Sequence, residues 1–226
     1  MNRKALGLCF VWSLMTGWLL AVEAPPSSPL LAPAPNPGNW TINVKQKKPL
    51  PPPSKDPKLA KLESLRPGKA ARMVQQTVEQ AGKDWHWETT WEDGKKDTYW
   101  LYRGVIVLYQ PRYFQANKLI MDRAGSPSAP AKPDQTDFPD VAWIAPKYFT
   151  GTVSYEGRKC HCYAREETNG RGKEVAWIDA ETRLPVAVET EATLKTYTFN
   201  KASETITPQG IFAERYLRLI NSGDEP

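Results

Sequence analysis

Cysteine and histidine are the scarce residues of this chain: 226 residues hold three cysteines and two histidines. Cys9 lies inside an N-terminal apolar run, which leaves Cys160 and Cys162 for the remainder. Two cysteines exclude a disulfide-built scaffold, so an apolar core has to hold the fold together. The histidines are His86 and His161, and no second Cys/His cluster stands beside them. That argues against a tetrahedral structural zinc site. The chain also has no G-x-S-x-G elbow, no phosphate-binding loop and no G-x-G-x-x-G. The usual signatures of serine hydrolases and nucleotide enzymes are therefore missing. The acidic pairs Glu166/Glu167 and Asp134/Asp137 fall in expected loops or strand ends, where solvated charge is the ordinary meaning. The chain reads as a binding protein and not as an enzyme, with no cofactor and no metal.

What is present is unevenly distributed. Met1-Asn2-Arg3-Lys4 precedes an uncharged, mostly apolar run over residues 5–22. A basic head, an apolar stretch and small residues behind it read as an export signal over 1–24, cleaved near Ala24 or kept as an anchor. Residues 25–57 contain eleven of the twenty-one prolines and read as an extended tether. The domain is then expected over 58–226, in the periplasm or at the cell envelope. Within the tether, Asn39-Trp40-Thr41 matches an N-glycosylation acceptor, which matters only in a eukaryotic secretory pathway.

The net charge of +5 is not spread evenly either. Residues 45–72 carry nine Lys and Arg against Asp56 and Glu63, whereas residues 73–226 carry nineteen against twenty-two Asp and Glu. The basic segment is either a solvated linker or a contact for an anionic membrane surface. A mildly acidic domain on an exported chain does not suit nucleic acid.

Periodicity predicts the elements. Residues 67–81 place Ala70, Met73, Val74, Thr77, Val78 and Ala81 at helical spacing, between a proline suited to a first turn and Gly82 as a stop. "DWHWETTW" alternates, with Trp85, Trp87, Thr89 and Trp91 on one face of a strand. "DTYWLYRGVIVLYQ" reads as one long strand, or two with a bulge or bend at Gly104. Residues 112–123 suggest a short helix or an irregular segment. Residues 124–140 form a long polar loop, a lid or a disordered segment. A meander of short strands follows, with turns at Glu156-Gly157 and at residues 169–172, and a C-terminal amphipathic helix carries Ile211, Phe212, Tyr216, Leu219 and Ile220.

In "RKCHCYAREE" the residues two apart share a face, so Cys160 and Cys162 point one way and His161 the other. The thiols read as small apolar side chains of a strand. A Cys160–Cys162 disulfide stays open if the strand distorts.

The run "AWIDAETRLPVAVE" has clear local physics. Asp179 can accept amides two and three residues on, Thr182 can add its hydroxyl, and Pro185 can open the next strand. Trp177, Ile178, Asp179, Thr182, Leu184 and Pro185 resemble the strand-turn-strand motif of bacterial periplasmic lipoprotein carriers and outer-membrane lipoprotein-sorting proteins. Arg183 stands where that family usually has glycine. The resemblance implies an α+β fold: a strongly curved antiparallel sheet forming an open half-barrel, with an N-terminal and a C-terminal helix packed on it. It also implies an apolar cavity for lipid or lipoprotein acyl chains. Trp85, Trp87, Trp91, Trp100, Val186 and Val188 are the candidate ligand-binding residues. The same aromatic stripe also fits the filled core of an envelope protein–protein interaction module.

Overall fold

The computed structural model describes residues 23–48, 71–111, 119–123, 137–167 and 172–221. The apolar leader up to residue 22, residues 49–70 of the basic segment and residues 124–136 of the long loop lie outside the described residues.

The strands are β1 (Gly38–Gln46), β2 (Met73–Ala81), β3 (Asp84–Trp91), β4 (Lys96–Tyr102), β5 (Val105–Tyr109) and β6 (Leu119–Arg123), then β7 (Phe149–Tyr155), β8 (Arg158–Glu167), β9 (Gly172–Asp179), β10 (Pro185–Glu189) and β11 (Thr193–Phe199). One helix, α1 (Ile211–Asn221), follows them. All eleven strands form one sheet in the order β6-β5-β4-β3-β2-β1-β11-β10-β9-β8-β7. Every pairing is antiparallel. The chain starts at the centre, walks to the β6 edge, reappears at the β7 edge and meanders back. The sheet is thus open, and β1 against β11 is the longest-range pairing among the described strands.

The structure corrects several expectations. Residues 73–81, expected as helix, are strand β2. Their helical spacing is real, but Gln76, Val78 and Gln80 also alternate with Thr77, Glu79 and Ala81, and two neighbouring strands satisfy the backbone. Two glutamines on the core side hid that alternation. No N-terminal helix is present among the described residues. The tether expected over 25–57 is not a tether in its described part. Gly38–Gln46 is the central strand, with Trp40, Ile42 and Val44 buried in alternation. Leu30, Leu31 and Ala34 pack against the same core. Residues 96–109 are two strands broken at Gly104, as the second alternative had it, but a tight hairpin turn at Arg103 (φ 49°) and Gly104 (φ 79°) joins them in place of a bulge or bend. Two successive positive φ values give the turn a twist that matches the flanking strands. Glu156 (φ 47°) and Gly157 (φ 80°) close the β7–β8 hairpin in the same way, where a turn was expected. Residues 119–123 form strand β6 rather than a helix.

The two faces of the sheet are covered differently. On the front face a core cluster joins Trp40, Ile42, Val44, Val78, Tyr163, Ala176, Ile178, Val188 and Tyr197. A strap of two 3-10 turns, Pro139–Val141 and Pro146–Tyr148, crosses it and inserts Phe138 and Val141. The Phe138 ring lies 5.7 Å from Trp40 and 6.1 Å from Tyr197. Asp140 pins the strap by accepting the Tyr197 hydroxyl (2.9 Å) and pairing with Lys195. Burial, reinforced by the Asp140 carboxylate, pushes the Tyr197 phenol well above its ordinary range. Arg165, ion-paired to Glu174 at 2.7 Å, sits 4.8 Å over the Trp143 ring.

On the back face Ala81, Trp100, Val105, Val107 and Ile206 form a smaller cluster. Helix α1 closes it with Phe212 and Tyr216, whose rings lie edge-on to Tyr109 (6.4 Å) and Tyr102 (5.1 Å). The expected C-terminal helix is therefore in place. Ile211 and Ile220, placed with its inward residues in the expectation, are 55% and 52% exposed.

The β9–β10 turn has the expected chemistry. Asp179 Oδ1 accepts the Glu181 amide (3.0 Å), the Thr182 amide (2.8 Å) and the Thr182 hydroxyl (3.0 Å). Burial pushes the Asp179 carboxyl up, but these bonds outweigh it, and the net shift is downward. Arg183, at the position where glycine was anticipated, adopts φ 61°. The turn keeps a glycine-like shape with a residue that has a Cβ.

Candidate ligand-binding face

Strand register, set by the hairpins, decides which side chains meet. From the centre of the sheet toward β5, one cross-strand row on the front face runs Trp40, Val78, Trp87, Tyr99, Leu108. The next runs Gly38, Gln80, Trp85, Leu101, Ile106. Trp85 and Trp87 are two residues apart on β3 and stack at 5.0 Å with 8° between planes. Trp40 meets Trp85 edge-on at 6.3 Å, and Tyr99 meets Trp87 edge-on at 4.9 Å. Such edge-to-face and offset contacts contribute about 0.5–1.5 kcal/mol each beyond burial. Trp85, Trp87, Leu101 and Leu108 remain half-buried, whereas Trp40, Val78 and Tyr99 are buried.

A polar row borders the apolar ones: Gln76, Thr89 and Asp97. Gln76 donates to Thr89 Oγ1 (3.3 Å), and the Trp91 indole donates to Asp97 Oδ2 (3.0 Å). Within the apolar rows, Gln80 Oε1 and Tyr99 Oη are buried and lack a hydrogen-bond partner among the described residues. Leaving such a group unpaired costs about 1–3 kcal/mol. Burial raises the Tyr99 phenol above its ordinary range. An apolar surface with a few inward polar atoms is the chemistry of a site that holds a hydrocarbon and orients one end of it.

The six expected binding residues separate. Trp85, Trp87 and Trp91 share the front face of β3, with Trp91 at its polar border. Val188 lies on the same face but is buried in the strap-covered cluster, four strands away on β10. Val186 is the extra residue of a bulge between Pro185 and Ala187. Trp100 lies on the back face, stacked on His86 at 4.0 Å. The sequence reading missed Tyr99, Leu101, Leu108 and Gln80. Their signal was the pairing across the β3–β4 and β4–β5 hairpins, legible only once both turns were placed.

Cys160 and Cys162 are free thiols on the back face of β8, with His161 on the front. Burial pushes the Cys160 thiol up. Among the described residues no group of three or more His, Cys, Asp or Glu side chains is placed to hold a metal ion. On the back face His86 Nδ1 lies 2.9 Å from Glu79 Oε2. In the basic segment, Lys47 pairs with Glu189 (2.7 Å) and Lys48 with Glu191 (2.6 Å), so part of its charge is used within the domain.

No protein-family model and no curated protein matches the chain. Solved structures do resemble it. The lipoprotein LppX of Mycobacterium tuberculosis is 9% identical, with 75% of this chain and 87% of that chain covered and a TM-score of 0.35. A DUF1329 family protein of Desulfovibrio piger is 10% identical, with coverages of 80% and 89% and a TM-score of 0.29. A putative outer membrane lipoprotein-sorting protein domain of Vibrio parahaemolyticus is 10% identical, with coverages of 82% and 93% and a TM-score of 0.30. At these TM-scores the similarities carry no functional inference.

Proposed function

We propose that this chain is an exported, non-enzymatic binder or carrier of acyl chains in the bacterial cell envelope. The supporting observation is the pair of rows Val78–Trp87–Tyr99–Leu108 and Gln80–Trp85–Leu101–Ile106. They form a continuous apolar and aromatic surface on which Trp85, Trp87, Leu101 and Leu108 are half-buried, while the other half of the same face is sealed by the strap. Flat indole rings accommodate methylene chains of any length, and Tyr99 Oη and Gln80 Oε1 supply polar anchors. Val188 and Val186 then serve the core and not the ligand. Trp100 supports the sheet from behind. The basic residues of 49–70 remain a candidate contact for anionic lipid.

The test is tryptophan quenching in the full chain by a bromine-labelled fatty acid, with native mass spectrometry of the purified protein for co-purified lipid. The reading expects saturable quenching, weakened by Trp87→Ala. Neither quenching nor a removable lipid-sized mass would sink it.

A second reading draws on the ring contacts themselves. The chain Trp40–Trp85–Trp87–Tyr99 is continuous with the buried cluster, as in a filled core. The face is then a structural surface of an envelope protein–protein interaction module. In that case Trp87→Ala lowers stability, and fatty acid quenches neither form.

A further inference from the structure

The far end of the front face holds a polar corner that acyl-chain binding leaves unused. A cross-strand row runs from Pro185 through Ile178 and His161 to Thr152 on the edge strand β7. Thr152 donates its amide (2.7 Å) and its hydroxyl (2.6 Å) to the two carboxylate oxygens of Glu23. Short, charge-assisted bonds of this kind are how proteins grip a carboxylate or phosphate. They hold the Glu23 carboxyl below its ordinary range. His161 Nδ1 is 3.1 Å from the same hydroxyl.

The second half of the corner comes from the β9–β10 turn. The backbone carbonyl of Arg183 accepts the Ala32 amide (3.0 Å), which ties the segment carrying Glu23 across this end of the sheet. The Arg183 guanidinium acts electrostatically on both His161 and Tyr163. Arg183 Nη1 and Tyr163 Oη are both buried, and neither has a hydrogen-bond partner among the described residues. Tyr163 is 0% exposed. Both groups can donate, and a guanidinium can do nothing else. The groups that act on His161 are Arg183, Glu23, Lys159 and Asp179. Arg183 and Lys159 favour an anion there. Asp179 opposes it, but its Oδ1 already takes three donors from its own turn.

We propose that Thr152, His161, Tyr163 and Arg183 form an oxyanion site for a carboxylate or phosphate group, whose Thr152 end the chain's own Glu23 fills. Glu23 is an internal competitor: the site opens to an outside anion when the segment ahead of Ala32 moves away or loses Glu23. This site does not depend on the acyl-chain reading.

The test uses the full chain and its two histidines, whose ring protons are separable by NMR. Wild type, Glu23→Ala and Glu23→Ala/Arg183→Gly are titrated with inorganic phosphate and, separately, with hexanoate. Glycine suits the positive φ at 183, so the turn survives loss of the guanidinium. In Glu23→Ala either anion should raise the His161 pKa saturably and leave His86 unmoved. Wild type should need more anion. Arg183→Gly should weaken binding by about tenfold or more, as expected for loss of a charge-assisted bond. A response to phosphate assigns a free-anion site. A response to hexanoate alone assigns the headgroup of an acylated ligand. No His161 response to either anion in Glu23→Ala, or equal binding after Arg183→Gly, would overturn the proposal. Fatty-acid quenching without a His161 response would remove this site and leave the acyl-chain reading standing.

Discussion

Replacing Arg183 separates backbone strain from side-chain contribution at a single position. Arg183 has φ 61° in the β9–β10 turn. A left-handed conformation costs a residue with a Cβ about 1–2 kcal/mol. Glycine removes that cost but adds freedom to the unfolded chain, worth about 0.4–1 kcal/mol. The backbone bonds are unaffected by either exchange, because the Arg183 amide donates to Asp179 O (3.0 Å) and its carbonyl accepts from Ala32 (3.0 Å). Arg183→Ala keeps the strain and loses the guanidinium, while Arg183→Gly loses both. The net expectation is that Arg183→Gly is more stable than Arg183→Ala by about 0.5–1 kcal/mol, the difference of the two costs. For a domain of this size each kcal/mol is about 2–4 °C in Tm. Urea unfolding followed by tryptophan fluorescence reads this as a shift in midpoint at constant slope. Arg183→Ala equal to or above Arg183→Gly would refute the reasoning. This order is the reverse of what glycine does inside ordinary strands.

Three further outcomes follow from the packing. Gly38→Ala should destabilise by about 1–3 kcal/mol, the usual range for overpacking, because a Cβ there runs into the Pro35 carbonyl; wild-type stability in thermal unfolding would show that the segment before β1 does not sit where described. Asp140→Ala should cost about 1–3 kcal/mol by stranding the buried Tyr197 hydroxyl, and should expose the strap to limited proteolysis near residue 140; unchanged protease resistance would count against Asp140 as the pin. Stability should also fall on acidification. Burial, with Arg183 adding to it, lowers the His161 pKa below 6.5. Below the unfolded value the unfolded chain therefore binds the extra proton first, so this contribution is present above about pH 6.5 and is lost as pH falls toward the folded pKa. Denaturation midpoints of wild type and His161→Gln should converge or cross in that window, and parallel pH profiles would refute the assignment.

Local chemistry was readable without coordinates. The β3 alternation placed Trp85, Trp87 and Trp91 on one face because side-chain direction in a strand depends only on parity. The Asx-type turn at Asp179 was readable because its donors lie two and three residues away. Strand β2 was misread because Gln76 and Gln80 occupy its core-facing positions, which left helical spacing as the stronger apolar pattern. Strand β1 carried a plain Trp40-Ile42-Val44 alternation, but proline-rich flanks concealed it.

The sequence by itself determined an antiparallel, turn-rich chain with an aromatic strand face, few metal ligands and a helix at its end. Only the tertiary structure decided that Gly38–Gln46 pairs with Thr193–Phe199 at the centre of the sheet, across more than a hundred residues of chain. It alone decided that Trp100 turns away from Trp87, and that Glu23 reaches Thr152 while Ala32 is tied to the Arg183 carbonyl. The physical reason is common to all three. Turn chemistry and parity act over a few residues, whereas these placements depend on the register of strands closed by long loops, which only the burial of the whole core can select.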